Sequence, residues 1–93
     1  MIKDKSFKIF LSNGITLTVK GNEVITIGNV GGHTFKDLYD YIAKCIKNNV
    51  PVEFSVEIEH EYKDEKDKVK HQEIYHNYFI PSEKITWFMI EEV

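Results

Sequence analysis

The chain of 93 residues is 42% hydrophobic and 29% charged, with 15 acids against 12 bases and a formal net charge of −3. That length predicts one domain spanning residues 1–93, and the composition excludes general disorder. All 12 bases are lysine, which disfavours direct nucleic-acid binding, because arginine supplies most bidentate contacts to phosphate and guanine.

Phe7, Ile9 and Leu11 alternate with polar or mixed positions, and so do Ile15, Leu17 and Val19. Both segments read as half-buried strands joined through Ser12-Asn13-Gly14. A two-residue turn would mix their faces. A three-residue loop pairs Leu11 with Ile15, Ile9 with Leu17 and Phe7 with Val19, with Gly14 supplying a positive φ. A third strand is predicted over Glu23–Gly28.

Thr34 opens the one convincing helix. With Asp37 three residues on, it approximates a capping box. Phe35, Leu38, Ile42, Cys45 and Ile46 recur at helical spacing on a core-facing stripe. Lys44 and Lys47 suit the C-terminal end of the dipole, and Asn48-Asn49-Val50-Pro51 stops the helix.

The segment PVEFSVEIEHEY (Pro51–Tyr62) alternates strictly, with Val52, Phe54, Val56 and Ile58 on one face and Glu53, Ser55, Glu57, Glu59 and Glu61 on the other. After the charged tip Lys63–Lys68 comes a strand over Lys70–Ile80. Pairing Ile58 with Ile74 places Val56 by His76, Phe54 by Tyr78 and Val52 by Ile80, which collects the best apolar set on one face. Pro81–Lys84 turns the chain into a last strand, Ile85–Glu92. Its centre ITWFMI is apolar on both faces, as in an interior or interface strand.

The predicted order is βββαβββ: an α+β fold with an antiparallel curled sheet of five to six strands and one helix packed on it. Six strands spaced about 4.8 Å apart span roughly 29 Å, whereas a helix is about 10 Å across. The sheet must therefore curl or be covered by a partner. Tyr75, Phe79, Trp87 and Phe88 add apolar surface to be placed, which leads to the expectation of a homodimer.

No apolar run approaches the roughly 20 residues of a membrane span. The start, MIKDKSFKIF, lacks the apolar core of a secretory leader. The lone Cys45 excludes an internal disulfide and fits a reducing cytoplasm. It falls on the apolar helix stripe, where a thiol is inert. No nucleophile constellation stands out, so the protein is read as a non-enzyme without cofactor or metal. His71 among Glu59, Glu61 and Glu73 reads as a solvated charge cluster, and His76 as a partly buried, hydrogen-bonded histidine.

The surface with most to offer is the acidic hairpin. Between Glu53 and Asp67 stand seven acids against Lys63 and Lys66, a local net charge of −5. Glu53, Glu57, Glu59, Glu61, Asp64, Glu65, Asp67 and Glu73 form a candidate face for a basic protein partner, which the chain would inhibit or regulate. Alternate strand residues are about 6.7 Å apart, close to two axial phosphate steps of a DNA strand, a spacing that suits a nucleic-acid-binding partner; the competing reading of the row is a solvated strand face whose charges block aggregation. The alternative, from another class, is a small anionic ligand held by Gly31, Gly32, His33 and Thr34, in a Gly-rich loop (residues 28–34) leading into a helix N-terminus. That loop matches neither GxxxxGK[ST] nor GxGxxG. The small size, the Lys-, Ile- and Asn-rich usage of an AT-rich genome and the lack of a catalytic motif resemble accessory proteins of phages and plasmids.

Overall fold

The computed structural model describes residues 5–92. Seven strands and one helix run in the order β1 (Lys5–Leu11), β2 (Thr16–Lys20), β3 (Val24–Ile27), β4 (Val30–His33), α1 (Phe35–Lys47), β5 (Val52–Lys63), β6 (Val69–Ile80) and β7 (Ile85–Glu92). The fold is α+β, but the expected single curled sheet is two antiparallel sheets. One has the order β2-β1-β7 and the other β4-β3-β5-β6. The split answers the coverage problem. Buried side chains of both sheets, Phe7, Ile9 and Val19 from the first and Ile25, Val52, Phe54, Val56 and Ile80 from the second, join Leu38, Ile42 and Cys45 of the helix in one core.

Local chemistry explains most elements. Phe7 pairs with Val19 and Ile9 with Leu17, the register that a three-residue loop requires. The loop closes through Gly14, whose φ is +88°, and Asn13 Oδ1 accepts from the Ile15 amide at 3.0 Å. At the start of α1, Thr34 Oγ1 accepts from the Asp37 amide and Asp37 Oδ2 accepts from the Thr34 amide, both at 3.1 Å. That reciprocal box satisfies two donors that the first turn would otherwise leave free. At the far end Asn49 takes a positive φ of 54° and the Val50 amide bonds back to the Cys45 carbonyl at 2.9 Å. Phe35 and Tyr39 lay the helix on the first sheet, with the Tyr39 and Phe88 rings 4.7 Å apart. Tyr41 ties it to the second, its hydroxyl accepting from the Glu53 amide at 3.1 Å.

Several expectations are corrected. Val30–His33 is a strand, β4, paired with β3, and not a loop running into the helix. Its glycines disguise it, since glycine is depleted in strands. The last strand, β7, is an edge of the three-stranded sheet rather than an interior strand, and Trp87 on it is 64% exposed. Ile46 is 38% exposed, so the buried helix stripe is narrower than its spacing suggests. His76 is exposed although it faces the buried Val56, because β6 is the outermost strand and the core does not reach beneath it.

The β5–β6 hairpin keeps the register Val52–Ile80, Phe54–Tyr78, Val56–His76 and Ile58–Ile74 without a break. It draws the molecule out to 52 × 27 × 27 Å. β3 pairs with β5 only along Ser55–Glu57, so the distal half of the hairpin stands beyond the core.

Candidate protein-binding face

The pleat of β5 sends Val52, Phe54 and Val56 inward and Glu53, Glu57, Glu59 and Glu61 outward. The register with β6 sets Phe79 opposite Glu53, Tyr75 opposite Glu57, Glu73 opposite Glu59 and His71 opposite Glu61. The outer face is therefore two parallel files of side chains. One is acidic, and the other carries Phe79 and Tyr75, 63% and 57% exposed. Neither the helix nor the first sheet covers them.

Polar contacts run both across and along the files. His71 Nδ1 lies 2.7 Å from Glu59 Oε1 and 3.7 Å from Glu61 Oε1. The Tyr75 hydroxyl donates to Glu73 Oε2 at 2.9 Å. That bond to Glu73 is the main reason the Tyr75 phenol is pushed above its ordinary value of 10.0, with nearby Glu57 acting in the same direction. Toward the core end of the hairpin, Ser55 Oγ donates to Asn77 Oδ1 at 2.7 Å. A groove of about 510 Å³ opens there, lined by Tyr41, Glu53, Ser55, Asn77 and Phe79 among others. Sequence reasoning missed this groove, because its walls come from four elements, β3, α1, β5 and β6.

The tip acids serve differently. Asp64 Oδ1 accepts from the amides of Lys66 and Lys68, both at 2.9 Å, so this carboxylate shapes the turn instead of extending the row. Asp67 holds a φ of +60° and lies 3.6 Å from Lys63 Nζ. Glu65 is exposed at the turn. Glu53, Glu57, Glu59, Glu61 and Glu73 are the acids brought onto one face. Among the described residues, no group of three His, Cys, Asp or Glu side chains is arranged to hold a metal ion.

Gly31, Gly32 and His33 lie in β4, with Gly32 at a φ of +80°, and Thr34 is the helix cap. The end of the helix already carries an acid. Thr34's backbone N–H, the main influence, holds the Asp37 carboxyl below its ordinary value. His33 Nδ1 sits 3.4 Å from Asp37 Oδ2. A cavity of about 340 Å³ adjoins His33 and Thr34, lined by Glu23 as well as by Lys5 and Lys36.

No family model, curated protein or solved structure matches the chain. Among the described residues, no helix is long and apolar enough to cross a membrane.

Proposed function

We infer that the protein is a non-enzymatic cytoplasmic binding module. Its outer hairpin face docks a basic protein, one that handles nucleic acid, and so inhibits or regulates it. One observation carries this reading: Glu53, Glu57, Glu59 and Glu61 share a face with the uncovered rings of Tyr75 and Phe79. Solvation alone accounts for a row of acids but gives no reason to leave two large aromatic rings in water beside it. Interfaces favour that combination, with aromatic anchors for affinity and charge for steering. Lysine- or arginine-rich partners also stack on aromatic faces. The anionic-ligand alternative gains nothing comparable, given Asp37 at the helix end.

The test is the combined variant Glu57→Lys, Glu59→Lys and Glu61→Lys. It changes the formal net charge from −3 to +3, two units at each of three sites. Its fold should survive, because exposed ion pairs such as Glu59 with His71 contribute only about 0–1 kcal/mol. Affinity capture is run at about 0.05 M and about 0.5 M salt, over which the Debye length shrinks from roughly 14 to roughly 4 Å. The wild type should retain a basic protein at low salt and release it at high salt, and the variant should retain none. Equal capture by both proteins would end the proposal.

A further inference from the structure

Two sheets leave four edges, and three of them are blunted. β4 is four residues long, contains Gly31 and Gly32, and pairs irregularly with β3. β2 has five residues and ends in Lys20. β7 is bent by a bulge opposite Phe10 and Leu11 and ends in Glu91 and Glu92. β6 carries the charges of Lys70 and Glu73 but is neither short nor bent. It runs twelve residues without proline or bulge, in unbroken register with β5, and among the described residues has no strand on its other side. Val69, Tyr75 and Phe79 along it are each more than half exposed. A long, regular, partly apolar edge is a template for another strand.

We propose that this edge pairs with β6 of a second copy, antiparallel, about a two-fold axis through Ile74. The commitment to a second copy comes from self-complementarity. A two-fold axis normal to the sheet keeps every side chain on its own face, so the pairing must be centred on a residue. On the outer face, centring on Ile74 sets Glu73 against Tyr75, His71 against Asn77 and Val69 against Phe79. On the opposite face it sets Ile74 against itself, Gln72 against His76 and Lys70 against Tyr78. Apolar groups meet apolar groups, no like charges face each other, and all of β6 but its last residue is engaged. The Glu73–Tyr75 contact repeats between copies a bond that the two residues already make within one strand at 2.9 Å. Centring on Glu73 instead opposes two carboxylates. Centring on Gln72 leaves Tyr78 and Phe79 beyond the partner strand. Centring on Tyr75 sets Lys70 against Ile80.

The result is a continuous eight-stranded sheet. The two acidic rows lie on one face of it, about 14 Å apart, three strand spacings, with an aromatic strip between them. This inference rests on the edge of β6 and stands whether or not the acidic face binds a basic protein.

Sedimentation velocity across a concentration series should show dimer growing at high micromolar protein. Ile74→Cys, in a Cys45→Ala background, should cross-link on oxidation. Directly opposed residues have Cα atoms about 4.5–5.5 Å apart, inside the roughly 4.4–6.8 Å span of a disulfide. Gln72→Cys, about 14 Å from its counterpart in this register, should remain uncross-linked. Ile74→Lys sets two ammonium groups against each other at the axis and should give monomer with an unchanged circular dichroism spectrum. A wild type that stays monomeric throughout, a Gln72→Cys protein that cross-links as readily as Ile74→Cys, or an Ile74→Lys protein that remains dimeric would each overturn the proposal.

Discussion

Ile42→Ala tests the centre of the structure. Ile42 has no exposed surface and touches the cluster in which both sheets meet the helix. The substitution removes three carbons, and at about 0.8 kcal/mol per buried methylene the lost transfer energy is ~2.4 kcal/mol. An unrelaxed void of about 50 Å³, at roughly 24 cal/mol per Å³, adds ~1.2 kcal/mol. The total, near 3.5 kcal/mol, is a large fraction of the roughly 5–15 kcal/mol that stabilises a typical domain. At about 4–8 °C per kcal/mol for a domain of this size, the melting midpoint should fall by roughly 14–28 °C. Thermal and urea unfolding followed by circular dichroism measure it, with the urea slope unchanged if only stability has altered. Ile46→Ala is the control. It deletes the same atoms one turn later, but Ile46 is 38% exposed, so its cost should be no more than about half as large. Equal losses at the two positions would refute the packing of the helix described above.

Two further outcomes are expected. Gly14→Val should destabilise the first hairpin by at least about 1–2 kcal/mol, the cost of a left-handed backbone for an L-residue, and Gly14→Asn by less. A Cβ at Gly14 meets nothing within 4 Å, so the cost is in the φ of +88° and not in crowding, and equal urea midpoints for glycine and valine would rule out this turn. Asp37 has a carboxyl lowered from 3.8 in the folded state, so the stability linked to it is present above about pH 4 and is lost as pH falls through the folded value. Asp37→Asn should therefore flatten the acid limb of a urea-midpoint series run from about pH 6 to about pH 2.5, and parallel curves for the two proteins would contradict the capping role.

The parts of this fold legible in the sequence are those set by neighbours in the chain. Asn13-Gly14 with flanking alternation leads to the Ile9–Leu17 register, and the apolar set on Ile58, Ile74, Phe54 and Tyr78 leads to the long hairpin, because a one-residue slip would turn every side chain to the wrong face. The Thr34–Asp37 box was readable for the same reason. Alternation says which face a residue occupies but not which strand lies beside it, so the division into two sheets and the pairing of β1 with β7 left no local trace. β4 was hidden because Gly31 and Gly32 have poor strand propensity, which the ladder to β3 overrides. Of the candidate site, the acidic file was visible in the spacing of Glu53 to Glu61. The exposure of Tyr75 and Phe79 was not, since it depends on β6 lying outermost. Asp64 looks in the sequence like one more surface acid, and only its two amide bonds reveal a structural carboxylate.

The pairing of β1 with β7 brings Lys5 opposite Glu92, the first and last residues described. This has a kinetic meaning. Sheet contacts of such long sequence separation are slow to form, because the chain between them must be closed first. On a ribosome, Phe7 and Ile9 emerge with only β2 beside them, while their other neighbours, Ile90 and Phe88, are made much later. The first sheet must therefore wait, one edge of β1 bare, until β7 has been made. The hairpin of β5 and β6, closed by a tight turn, can zip up meanwhile. Nascent chains stalled before Ile85 should thus be the form most in need of chaperone shelter, because the core has been synthesised but one of its walls has not.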